Sequence, residues 1–142
     1  MNAIVVGTDG SPGAEAAVER AVELLRGTGV TVHLVCAYPS RTPLERLGMT
    51  GRQEAVDMRG VASDVIARSE RRFREAGFGD VERHVREGDP TDTIIAVADE
   101  NDADLIVVGA RGETRLRRFM LGGVAAKLAH HAPTSLLIVR DD

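Results

Sequence analysis

The chain has no tryptophan, one tyrosine and three phenylalanines in 142 residues. So few rings exclude base stacking on aromatic platforms as a principal binding mode. A single cysteine, Cys36, cannot close an internal disulfide. Stability must therefore come from a packed core, and a cytoplasmic location is the expectation. No apolar run approaches the roughly 18 residues of a membrane span. The first residues show no basic segment followed by a long apolar one, so no signal peptide is expected. The net charge of −4 argues against a nucleic-acid partner. No Ser-His-Asp, Cys-His or paired-carboxylate spacing is evident, and no general base is placed to activate water. Any hydrolytic activity would therefore be slow.

The apolar segments that are present are short, β-branched and regularly spaced. Residues 3–8 (AIVVGT), 30–38 (VTVHLVCAY), 81–86, 104–109 (DLIVVG) and 135–139 (SLLIV) read as five strands, most of them buried on both faces. The third alternates and should keep one polar face. Between them lie four helical segments. The first opens with Ser11 as N-cap and Pro12 at the first helical position, and the third repeats that signal with Asp89 and Pro90. The second runs from about 54 to 76, and the last from about Gly122 to His131, where Pro133 stops it. Residues 39–52 hold two prolines and two glycines and read as a long loop.

Strictly alternating strands and helices predict an α/β fold. The expectation is a five-stranded, mostly parallel sheet with helices on both faces, doubly wound and Rossmann-like, forming one domain over 1–142. Ligands on such sheets bind beyond the carboxyl ends of the strands, where the strand order reverses. The rim formed by Gly7 and Asp9, by Cys36 and Ala37, and by Gly109 to Gly112 is therefore the candidate site.

One stretch on that rim carries the most chemistry. Gly109 ends a strand, Gly112 follows after two residues, and Gly122-Gly123 follow after nine more, just before VAAKLAHHA. Glycine permits positive φ and close backbone approach to a ligand. A helix start offers free amides and a favourable dipole to an anion. On that reading a bulky side chain at Gly122 would occupy the phosphate position. Residues 110–127 carry Arg111, Arg115, Arg117, Arg118 and Lys127 against Glu113 alone, a net of +4. The spacing fits neither a P-loop nor the dinucleotide GxGxxG. Set against it, glycines after a strand commonly serve only as turn punctuation, and an arginine run as a solvated face. Ser11 and Asp89 read as helix caps. His33 and His84 read as structural residues on their strands. His130 and His131 point in different directions on one helix and make no paired metal site.

Taken together, IVVGTDGS, GDPTDTII, ADLIVVGARG, LGGV and APTSLLIV resemble the universal stress protein family along the whole chain. The resemblance implies a five-stranded parallel α/β fold. It also implies membership of the branch that binds ATP or a related adenine nucleotide, with Mg²⁺ able to accompany ATP. The alternative branch lacks the glycine pattern, binds no nucleotide and acts as a dimeric stress or interaction protein. Carried over by position, Asp9 with Gly7 beside it lies near adenine and ribose. Ala37 meets the adenine edge. Gly109, Arg111 and Gly112 form the ribose and phosphate turn, and Gly122, Gly123 and Val124 hold phosphate at the helix start. The resemblance further implies a homodimer through the last strand. Two positions depart from the pattern: Gly123 stands where serine or threonine is usual, and Ala125 where a second hydroxyl is common. Both remove donors to phosphate. ATP should suffer most, and AMP or cyclic AMP less.

Overall fold

The computed structural model describes residues 1–40, 57–112 and 120–141. In chain order the elements are β1 (Ala3–Gly7), α1 (Pro12–Leu25), β2 (Thr31–Tyr38), α2 (Met58–Glu75), β3 (Val81–Glu87), α3 (Pro90–Glu100), β4 (Leu105–Gly109), α4 (Gly123–His131) and β5 (Ser135–Val139). Residues 41–52 of the expected 39–52 loop, the start of the second helix before residue 57, and Arg115, Arg117 and Arg118 fall outside the described residues.

All five strands are parallel and lie in the order β3-β2-β1-β4-β5. Side chains alternate between the two faces of each strand. Ile4 and Val6 of β1 meet Leu34 of β2, α1 and α2 on one side. Val5 of β1 meets Val35 of β2, α3 and α4 on the other. The sheet is thus covered on both faces, as the long apolar runs of β1 and β4 require. Phe73 of α2 is fully buried and packs edge-to-face on Phe78, with ring centroids 5.0 Å apart. Cys36 is buried in the α1/α2 layer.

Local chemistry fixes where the helices begin. The Ser11 hydroxyl accepts from the Ala14 amide at 3.2 Å, and Asp89 accepts from the Asp92 amide at 3.0 Å. Pro12 and Pro90 occupy positions where a helix needs no amide. Asp104 ties the amino ends of β1 and β4 together: it accepts from the Asn2 and Ala3 amides at 2.6 and 3.1 Å. Those two bonds hold its carboxyl below the usual aspartate range.

The chain runs from β1 outward to β2 and β3, then crosses to the far side of β1 to make β4 and β5. The order therefore reverses between β1 and β4, and that is where an open α/β sheet leaves a crevice.

Candidate functional site

A cavity of about 460 Å³ opens at that crevice, within the range of small-molecule pockets. All nine residues expected from the sequence line it: Gly7, Asp9, Ala37, Gly109, Arg111, Gly112, Gly122, Gly123 and Val124. Thr8, Ala14, Val35, Pro90, Ile94, Val108, Ala110 and Ala125 line it as well. Val35, Ile94 and Val108 give the floor an apolar character. They read as ordinary core residues in the sequence, because a buried strand shows the same pattern whether its end faces a helix or a cavity.

Asp9 follows β1 directly. Its Oδ1 accepts the Ser11 amide at 2.9 Å, so it serves the turn as well as lining the cavity. The Thr8 amide donates to the Val35 carbonyl at 2.9 Å and ties this turn to β2. The opposite wall is the 110–112 turn. The Ala110 amide donates to the Val139 carbonyl, and the Ala110 carbonyl accepts the Gly122 amide, each at 2.7 Å. The second of these bonds fixes the start of α4 against the end of β4.

The start of α4 differs from those of α1 and α3. Its N-cap is Gly122, in extended conformation (φ −69°, ψ 168°), and no side chain caps it. The first amides of a helix have no carbonyl within the helix to reach. Those of Gly123, Val124 and Ala125 are the first three of α4, and all three residues line the cavity. The site is therefore an apolar floor, a carboxylate on one rim and an uncapped helix start on the other. Such a start attracts an anion through its amides and its dipole.

The glycines work differently from the expectation. None of Gly109, Gly112, Gly122 and Gly123 has positive φ; among the described residues that conformation belongs to Gly10, Gly27, Gly29, Gly77 and Gly88. What matters at the site is space. A Cβ on Gly109 would lie 2.5 Å from the Gly13 carbonyl oxygen and 2.7 Å from its carbon, so the start of α1 sits directly on the end of β4. A Cβ on Gly112 would lie 2.8 Å from Asp9 Oδ2. One on Gly7 would meet Ile94 Cδ1 at 2.6 Å. A side chain on Gly122 would start 3.4 Å from the Ala110 oxygen, against the 110–112 turn. Of the glycines that line the cavity, Gly123 alone faces open space, with nothing within 4 Å.

Arg111 lines the cavity, but its guanidinium donates to Asp141 Oδ1 at 2.6 Å. That bond holds the Asp141 carboxyl below its usual range. The cation expected beside phosphate is thus already shared with a carboxylate just beyond β5.

His33 and His84, expected as structural, lie outside the cavity lining and meet across β2 and β3, with Nδ1 of His33 2.9 Å from Nε2 of His84. Burial, followed by the nearby His33 and Arg86, pushes the His84 imidazole below its ordinary range. His130 and His131 lie in the last turn of α4, where a helix dipole favours cations.

The profile of the universal stress protein family matches residues 1–140. The chain belongs to the universal stress protein family. A universal stress protein of Mycobacterium tuberculosis is 32% identical over 138 residues, 96% of this chain and 94% of that protein. Among solved structures, a universal stress protein in complex with cAMP is 31% identical. It covers 99% of this chain and 98% of its own, with a TM-score of 0.75. The universal stress protein from Archaeoglobus fulgidus in complex with dAMP is 27% identical, covers 99% and 98%, and has a TM-score of 0.71. Among the described residues no helix is long and apolar enough to cross a membrane.

Proposed function

We propose that this universal stress protein is an adenine-nucleotide-binding regulatory module of the stress response. The observation that carries the reading is the uncapped start of α4 opening into the cavity at the β1/β4 switch. Phosphate lies on the amides of Gly123, Val124 and Ala125. The base lies over the apolar floor of Val35, Ile94 and Val108. Asp9, an anion, faces ribose or base, because beside phosphate it would repel. Two relatives whose structures carry cAMP and dAMP support the same ligand class.

The absence of hydroxyls at Gly123 and Ala125 favours ligands with few phosphates. Each hydrogen bond to a charged group is worth about 1.5–3 kcal/mol, so two missing donors cost ATP on the order of a hundredfold or more. AMP or cyclic AMP is therefore the better ligand, and Mg²⁺ enters only with ATP. Protein stripped of ligand should take up one labelled AMP per chain in equilibrium dialysis. Absence of uptake of any adenine nucleotide at millimolar concentration would end the proposal.

A second reading, a dimeric interaction protein, rests on β5. It is an edge strand, and Leu136, Leu137 and Ile138 stay half-buried there rather than fully covered. An apolar edge without charge or proline invites pairing with another chain. Antiparallel pairing of two β5 strands about a two-fold axis closes that edge. The dimer is common to both readings, and only the second lacks nucleotide binding. Light scattering at micromolar concentration should give twice the chain mass; the mass of one chain would exclude the dimer.

A further inference from the structure

On the edge opposite β5, β2 and β3 pair with His33 opposite Glu82 and Val35 opposite His84. Paired and alternate residues share a face, so His33, Glu82 and His84 project to one side of the sheet. It is the α3 side, because Val35 belongs to that layer. His33 Nδ1 lies 2.9 Å from His84 Nε2 and 3.2 Å from Glu82 Oε2. The three ligand atoms all lie within 4.8 Å of one another. The His33 side chain is 5% exposed and that of Glu82 53% exposed, so the cluster is anchored in the core and open at one end.

Three acceptor-capable atoms converge here around at most two ring protons. The single Nδ1 of His33 faces both partners, and a nitrogen carrying one proton cannot give a full hydrogen bond to each. If His84 donates to Nδ1, the lone pair used there faces a carboxylate. If Nδ1 donates to Glu82, the bond to His84 is weakened. A divalent cation satisfies all three lone pairs together. Ligands about 2.0–2.1 Å from a tetrahedral zinc ion lie about 3.3 Å apart; the 3.2 Å between His33 Nδ1 and Glu82 Oε2 is close to that edge, and the 2.9 Å to His84 Nε2 has to open slightly to reach it. Two imidazoles and a carboxylate suit zinc and its first-row neighbours rather than calcium or magnesium. The adjacent Arg86 is held by Glu100 through bonds of 2.7 and 2.8 Å, which offsets its charge beside the cluster.

We propose that His33 Nδ1, His84 Nε2 and the Glu82 carboxylate bind one divalent transition-metal ion of the zinc class, with the remaining coordination position open to water. No residue of this cluster lines the cavity at the β1/β4 switch, so the proposal stands independently of nucleotide binding. The bound ion links edge strand β3 to β2 and makes the stability of that edge depend on metal.

The test uses tag-free, chelator-treated full-length chain titrated with ZnCl₂ by calorimetry. One ion should bind per chain, with a dissociation constant in the micromolar range or below. Glu82→Gln and His84→Ala should each weaken binding by about tenfold or more. Replacing His130 and His131, the other two histidines of the chain, should leave it unchanged. Zn²⁺ should raise the thermal midpoint of the wild type more than that of His84→Ala at the same Zn²⁺ concentration. Co²⁺ should give the visible absorption of a four-coordinate site in the wild type alone. Glu82→Gln changes a half-exposed side chain and keeps the test decisive where His84→Ala does not fold. No saturable Zn²⁺ uptake below millimolar concentration, or equal uptake by wild type and both variants, would overturn the proposal.

Discussion

The starts of α1 and α4 are both at the rim of one cavity, yet they are closed and open respectively. At α1 the Ser11 hydroxyl takes the Ala14 amide and Pro12 removes a second donor. At α4 the cap is Gly122, whose own amide is held by Ala110, and the next residues carry no side chain able to reach back. A side-chain cap is worth about 0.5–2 kcal/mol. Among the described residues α2 also begins without a side-chain cap, but its first residues do not line the cavity, whereas those of α4 do. An uncapped start is thus a sign of function only when it faces a cavity.

The contrast should vanish in a protein whose α4 begins as α1 does. Gly122→Ser with Gly123→Pro recreates the Ser-Pro start. Gly122 already has the extended backbone that precedes proline, and a Cβ there meets its neighbours no closer than 3.4 Å. The double variant should fold with equal or greater stability. It should bind AMP about a hundredfold more weakly or worse, because two donors to a charged group are lost. Calorimetry on both proteins reads the ratio.

A smaller effect separates two glycines that look alike in the sequence. Gly109→Ala forces a Cβ onto the backbone of Gly13, and overpacking of that kind costs about 1–3 kcal/mol. Gly123→Ala enters open space in a helix and should gain about 0.4–1 kcal/mol. Urea denaturation of both variants checks the opposite signs. A Gly109→Ala variant as stable as the wild type would mean that α1 does not rest on the end of β4 as described.

Much of this was readable from the residues alone. Short β-branched runs, Ser11-Pro12 and Asp89-Pro90 marked the alternation of strands and helices. That alternation led to a parallel sheet and to a cavity at the strand ends. The reason for the glycines was not readable. What a missing Cβ would strike lies far away in sequence: Gly13 for Gly109, Asp9 for Gly112, Ile94 for Gly7. Spacing suggested positive φ, but the constraint is close approach between elements brought together only by the strand order. The engagement of Arg111 with Asp141 was hidden for the same reason, since 30 residues separate them. His33 and His84 gave no signal beyond being polar residues on strands, because the parallel register that joins them spans 51 residues.

The central claim is that phosphate rests on the first amides of α4, and amide-resolved NMR tests it most directly. Ligand-free, isotope-labelled protein is titrated with AMP and, separately, with adenosine. With AMP the largest saturable shifts should fall on the amides of Gly123, Val124 and Ala125. With adenosine those three should move far less, while amides beside the apolar floor respond to both. Equal responses to AMP and adenosine at the start of α4, or saturation with AMP that leaves those amides unmoved, would contradict the account.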